Sequence, residues 1–310
     1  MTPAVSVVVV ADYGATLASV HADLRSSLTG LASQDFKEPA EFILVESADR
    51  VAQLPAELTE LVPSLRVLAV DSTRSYDLKT AGARAAAAEF IVLLDADCTP
   101  APQWLRTAVQ HLREHPDVSV VTGRIVYADQ RLPSRALALL SRAHSDRSRI
   151  ARARFISNAN GAYRRDVLHR YPLCADAGPF SGLLQSEAMW RDGVRAHFDP
   201  DMKVVHAFEG WPMERDIRRQ IGYSTIDVRR RDPAMRFAWL ARLGMFSIPV
   251  FAILRMFDSW WNCCRSARAY GIRWWELPAT FGFAAMVHAV EVGGMWRAFR
   301  QQPSHATHYR

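Results

Sequence analysis

The sequence predicts an α/β fold, a mainly parallel sheet flanked by helices, with a helical segment appended at the C-terminal side. Three observations carry this. Short β-branched apolar runs alternate with helix-periodic stretches through the first part of the chain. One of these runs, "FIVLLDAD", ends in two acids. After residue 210 the pattern changes to arginine-rich and tryptophan-rich apolar segments. The chain has 310 residues, 49% of them hydrophobic, which suits one large domain plus an appendage; we divide it at 1–210 and 211–310.

The elements follow in order. "VSVVVVA" (5–11) is continuous and β-branched, as a strand buried on both faces requires. Leu17, Val20, Leu24, Leu28 and Leu31 recur at helical spacing. "EFILVES" (41–47) and "LRVLAVD" (65–71) read as strands, Ala81 to Ala88 as a helix, and 90–97 as the next strand. Thr99-Pro100 signals a helix start, with Leu105, Ala108, Val109 and Leu112 on one face, and "VSVVTGRIVY" (118–127) is a further strand. Strand–helix alternation implies right-handed βαβ units. Their strand C-termini share one edge, and ligands bind outside it.

Composition narrows the function classes. The net charge is +6, and all basic residues except Lys37, Lys79 and Lys203 are arginine, a balance that attracts phosphates or anionic lipid. No RRM, helix-turn-helix or zinc-finger pattern is present, so nucleic acid is not an expected partner. Cys98, Cys174, Cys263 and Cys264 form no CxxC pair, which argues against a zinc site or a disulfide framework. The N-terminal apolar run is too short for a signal peptide or a span, so a cytoplasmic location is expected.

Asp95 and Asp97 fall at the ligand-binding edge. Residues two apart on a strand share a face, so both carboxylates would enter one crevice. Their mutual repulsion is relieved by a hard divalent ion such as Mg²⁺ or Mn²⁺, which also accepts substrate phosphate oxygens. Spacing alone fits a helix cap and a solvated turn acid equally well; the apolar strand in front favours the metal.

These residues carry a resemblance. "VSVVVVADY", "EFILVES" and "KTAGARAAAAEFIVLLDADCTPAPQWL" resemble the family-2 glycosyltransferases of GT-A fold, which have a first strand of type VSVVIPTYN and an R-N-A-G segment leading to L-D-x-D. The similarity runs over roughly residues 4–210 and is densest at 79–100. It implies a nucleotide-sugar donor, a divalent metal and inversion at the anomeric carbon. Asp95 would then lie on the ribose side of the donor and Asp97 on the metal. Lys79 would contact the donor, Glu46 the base, and Asp12 the pocket beside the nucleotide. The family's Pro-Thr-Tyr-Asn is "VADY" here, so that pocket has diverged.

Further along, Asn158, Asn160 and Gly161 fit either a turn or contacts to sugar hydroxyls. "DGVRAHFDPDMKVVH" is similar to the family's AGYRVVYEPDAVVYH and places His206 at its histidine position, where an imidazole completes the metal shell or meets the diphosphate. The family's Glu-Asp pair is missing at its usual distance from Gly193. Glu187 is therefore the expected base, with Asp192 and Asp176 behind it.

In the C-terminal segment, "LGMFSIPVFAIL" (243–254) and "LPATFGFAAMVHAV" (277–290) are shorter than a membrane span, and Trp260, Trp261, Trp274 and Trp275 lie between them. Basic flanks with paired tryptophans suit helices in a membrane interface. A buried helical subdomain or a homodimer interface would hide the same runs. The expected protein is thus an inverting, metal-assisted glycosyltransferase of hexosyltransferase type, peripheral at the inner face of the plasma membrane. Its expected acceptor is a hydroxyl on a lipid-linked or polysaccharide precursor. A nucleotidyltransferase and a non-catalytic sugar-nucleotide-binding protein are the alternatives.

Overall fold

Strand β1 (Val5–Val10) is buried at every position and forms the axis of the sheet. The computed structural model describes residues 2–10, 17–207 and 210–303. After β1 come α1 (Leu17–Ala32), β2 (Ala40–Ser47), the short α2 (Ala48–Val51) and α3 (Ala56–Thr59), and β3 (Leu65–Val70). Helix α4 (Ser75–Ala85) leads into β4 (Phe90–Asp95), β5 (Cys98–Pro100), α5 (Trp104–Glu114) and β6 (Val120–Tyr127). Then follow α6 (Leu132–Arg142), β7 (Ala151–Arg152), β8 (Asn160–Arg164), α7 (Arg165–Arg170), α8 (Ser181–Arg191) and β9 (Ala196–His206). The chain ends in three long helices, α9 (Trp211–Arg231), α10 (Ser247–Ser266) and α11 (Leu277–Phe299).

The sheet is mixed, with strand order β3-β2-β1-β4-β8-β6-β9-β5 and β7 paired to β9. Its first four strands are parallel, and their register sets Val10 level with Val45 on one side and Asp95 on the other. Antiparallel pairs follow, β4 with β8 and β5 with β9. Leu24, Leu28, Val7, Val92, Leu94, Trp104, Leu105 and Met202 belong to one continuous core. Gly82 lets α4 lie against the sheet: a Cβ there would stand 2.3 Å from Val8 Cγ1 and 2.7 Å from Val45 Cγ2.

Several boundaries differ from expectation, and the helix read over Ala81 to Ala88 spans Ser75–Ala85. The strand ending in the acids stops at Asp95, two residues early. Thr99-Pro100 does not begin a helix; it lies in β5, where Cys98 to Pro100 pair with His206 to Val204, and the helix begins at Trp104. Local turn signals lose here to the sheet's demand for a partner along β9.

The chain divides into two compact units. One comprises Met1–Val126, Ser145–Ala175 and Gln185–Ala207; the other comprises Tyr127–His144, Asp176–Leu184 and Phe208–Arg310. The boundary expected at 210 falls beside the last crossing between them, and two earlier excursions belong with the helical unit. Within that unit α9 lies along α11 closely enough that Gly222 and Gly294 are required: a Cβ on either would come within 2.0 Å of Glu291 O or 1.9 Å of Arg219 O. At the centre sits Glu291, fully buried. Its carboxylate takes the Arg255 Nε–H at 2.6 Å and stands 2.8 Å from His288 Nδ1 and 3.5 Å from Arg218 Nη1. Burial alone would raise its pKa, but Arg255 and the His288 hydrogen bond outweigh that and hold it well below the ordinary carboxylate range.

Glu291→Gln removes the carboxylate that faces Arg255, while Arg218 keeps Glu214 at 2.6 Å. It is expected to cost about 3–5 kcal/mol in chemical denaturation. Because the folded pKa is depressed, this contribution is complete above the ordinary carboxylate range and lost as pH falls below it. The wild type should therefore lose stability on acidification more steeply than the variant.

Candidate functional site

Asp95 and Asp97 have different partners. Alternation along a strand does not reach Asp97, which follows the end of β4 in a turn. The expected shared strand face is corrected to two posts, one on the strand end and one on the turn. Asp95 Oδ1 lies 2.7 Å from Lys79 Nζ, a charge contact without aligned hydrogen-bond geometry. Lys79 itself is buried on α4, with its ammonium 5.1 Å from the centre of the Tyr76 ring. A cation held on the inner side of α4 thus reaches the first acid.

Asp97 is also buried, and faces β9. His206 stands opposite Cys98 in the β5–β9 register, and its Nε2 lies 3.1 Å from Asp97 Oδ2. The Ala207 backbone N–H donates to the Asp97 carbonyl at 2.8 Å, which closes the turn. His206 Nδ1 is hydrogen-bonded to the Ala207 carbonyl, so Nδ1 is the nitrogen that carries a proton. In a neutral ring Nε2 then presents a lone pair to a carboxylate oxygen. Two acceptors at that distance call for a cation between them, either a proton on the ring or a metal.

The donor set fits a divalent transition ion. A carboxylate oxygen and an imidazole nitrogen are both ordinary ligands of such ions. The Cys98 thiol donates to Asp97 Oδ1 at 3.3 Å, and the ligand atoms of Asp97, Cys98 and His206 lie within 4.8 Å of one another. Asp23 on α1 is near enough to feel the His206 charge: burial raises its carboxyl pKa while His206 pulls it down. Neither Asp23 nor Cys98 was legible as a site residue. One is a single polar position on a helix, and the other becomes a neighbour only through the β5–β9 pairing.

The remaining candidates are placed as follows. Glu46, near the end of β2, is buried and accepts the Ser47 backbone N–H at 2.7 Å; burial raises its pKa against that bond and the nearby Arg50. Asp12 lies outside the described residues. Glu187 on α8 is held by Arg154 through both oxygens, at 3.0 Å and 2.9 Å. Asp192 accepts the Tyr171 hydroxyl at 2.6 Å. Asn160 is a core residue: it accepts the Trp104 indole N–H at 2.7 Å and donates to Arg124 O and Met202 O. Asn158 accepts from the Tyr163 hydroxyl. Beside Lys79 a pocket of about 200 Å³ is lined by Thr80, Ala83, Arg84, Leu168 and His169, among others.

A parallel four-stranded half, antiparallel strands beside it, and paired acids where β4 ends define a GT-A-type nucleotide-sugar transferase fold. The sequence model described as glycosyl transferase family 2 matches residues 15–171. The chain belongs to this family, and it is a glycosyltransferase. Among solved structures it is similar to the mannosyltransferase PcManGT from Pyrobaculum calidifontis in complex with GDP-Man and Mn²⁺, at 18% identity and a TM-score of 0.63, over 98% of this chain and 89% of that one. It is also similar to TarS of S. aureus, at 14% identity and a TM-score of 0.52, over 96% of this chain and 55% of that one. These two likenesses concern the fold. No curated protein matches the sequence.

Lys79→Met should leave Asp95 with no counter-charge and cost about 3–5 kcal/mol in urea unfolding, whereas Lys79→Met combined with Asp95→Leu should recover most of that loss, because a buried pair replaced by apolar groups is close to neutral. Equal losses in the single and double variants would remove the pair from the account.

Proposed function

We propose that this glycosyltransferase moves a sugar, of hexose type, from a nucleoside-diphosphate donor to an acceptor hydroxyl with inversion, assisted by Mn²⁺ or Mg²⁺. The observation that supports this most is the apposition of Asp97 and His206 across β5 and β9. The GDP-Man and Mn²⁺ bound by the similar mannosyltransferase agree with a nucleotide-sugar donor and a divalent ion. In this reading Asp97 and His206 hold the ion, Asp95 and Lys79 face the donor, and Glu46 and Asp12 border its base. When bound, the ion supplies positive charge that offsets the charge developing on the departing diphosphate.

The chain's own residues supply the rest. The acceptor oxygen attacks the anomeric carbon from the side opposite the leaving group. Its proton must go to a base as the new C–O bond forms and the bond to the diphosphate oxygen breaks. Glu187 is the proposed base. Its cost is the Arg154 clamp, which occupies both oxygens. The Arg154 side chain is 56% exposed, so the pair is screened by water and worth about 1 kcal/mol or less. An acceptor hydroxyl can therefore displace Arg154 cheaply. The acceptor we propose is lipid-linked or a polysaccharide precursor, reached from the cytoplasmic face of the plasma membrane.

With a radiolabelled donor panel and Mn²⁺, Glu187→Gln should lower turnover by about 10²–10⁴-fold and leave donor affinity unchanged. Arg154→Ala should change turnover by much less. Unchanged turnover in Glu187→Gln would remove it as the base.

A further inference from the structure

Helix α10 of the helical unit is apolar on two faces, one buried and one exposed. On α10 the face turned to α11 buries Ile248, Phe251 and Cys263 together with two polar contacts. Arg255 reaches the buried Glu291 at 2.6 Å, and Ser259 Oγ lies 2.8 Å from His288 Nε2. The opposite face is apolar and bare: Val250, Ile253, Leu254, Phe257 and Trp261 are all exposed, Phe257 by 59% and Trp261 by 68%. Their spacing of three and four residues makes one stripe along the helix. Met286 and Trp296 are exposed on α11 as well. Water is a poor solvent for such a face, and Ile248, Phe251 and Cys263 already supply the apolar packing of α10 against its neighbours, so the stripe is surplus to the fold.

The ends of the stripe identify what covers it. Phe246, 87% exposed, precedes α10, and Trp274, 78% exposed, and Trp275 follow it. Arg236, Arg242, Arg265, Arg268, Arg273 and Arg300 are exposed around the same elements. The acids of residues 233–303 do not balance them: Glu291 and Glu276 are ion-paired to arginines, which leaves Asp258 exposed on α10. An apolar stripe with tryptophans at its ends and a rim of arginines matches the depth profile of a bilayer interface, with hydrocarbon beneath and anionic headgroups alongside. A second copy of the chain would bring one arginine rim against another, which like-charge repulsion opposes. The segment 238–270 is long and apolar enough to cross a membrane. However, Arg255 and Asp258 at mid-helix, and the contact of α10 with α11 along its length, favour α10 lying flat.

We propose that α10, with the exposed faces of Phe246, Trp274 and Trp275, docks this protein onto an anionic lipid surface with the helix parallel to the membrane plane. The claim is independent of the sugar-transfer reading, because it is tested without donor, metal or turnover.

The test is co-sedimentation of the full chain with vesicles of phosphatidylcholine alone and of equimolar phosphatidylcholine and phosphatidylglycerol. Binding should be at least about tenfold tighter to the anionic vesicles and should weaken as salt is raised. F257E/W261E places two charges on exposed positions, so its melting temperature should match the wild type while its vesicle affinity falls by about tenfold or more. R265E/R268E should lose the preference for phosphatidylglycerol. Tryptophan fluorescence should be quenched more by bromine atoms near the headgroups than by those at the bilayer centre. Three results would overturn the proposal: no binding to either vesicle, strongest quenching at the bilayer centre, or a wild-type dimer that F257E/W261E dissociates without any effect on vesicle binding.

Discussion

The site depends on one antiparallel pairing, β5 with β9, which sets Asp97 against His206. Neither residue is a cation site alone. Asp97 sits in a turn, where its carboxylate could face solvent, and His206 ends a strand. The three-residue β5 locks Cys98 to the His206 register, and the Ala207 N–H closes onto the Asp97 carbonyl. With Nδ1 committed to the Ala207 carbonyl, Nε2 and the carboxylate confront each other in a partly buried corner. Acceptors face to face disfavour each other there, and a cation turns that cost into affinity.

The rest of the nucleotide-binding unit keeps this corner in place. Glycine brings α4 onto β1 and β2 at Gly82, and so carries Lys79 to Asp95. Gly123 on β6 is equally constrained: a Cβ there would fall 1.7 Å from Met202 O on β9. Asn160 ties β8 to the carbonyls of Arg124 and Met202 and to the Trp104 indole, so the strand that ends in His206 is fixed from its neighbours. The two acids thus have separate supports. A change at Lys79 perturbs Asp95 without touching the Asp97–His206 contact. That separation suits distinct duties, one acid toward the donor and one toward its ion.

Much of the fold was legible because it rests on local pattern. Continuous β-branched runs marked β1, β2 and β4, and helical spacing marked α1 and α5. What stayed hidden depends on pairing at a distance. β5 is three residues long and carries a proline, so it reads as a helix start until β9 is beside it. Most of the apolar run 243–254 and the pair Trp260-Trp261 read as separate pieces, yet they share one helix over Ser247–Ser266, while Trp274 and Trp275 lie beyond it. The candidate site shows the same division. Asp95, Asp97, Lys79 and His206 were singled out from motif and resemblance, and the structure brings Lys79 to Asp95 and His206 to Asp97. The clamp of Arg154 on Glu187 joins residues 33 positions apart, and nothing in the local sequence announces it.

The claim that Asp97 and His206 share a cation is tested most directly by calorimetric titration of a nucleoside diphosphate into the protein, with Mn²⁺ and with EDTA, for the wild type, Asp97→Asn and His206→Ala. The account predicts that Mn²⁺ tightens nucleotide binding to the wild type and that either substitution removes about tenfold or more of that gain, as lost metal ligands do. Equal affinity of the wild type with Mn²⁺ and with EDTA, or an undiminished gain in Asp97→Asn, would contradict it.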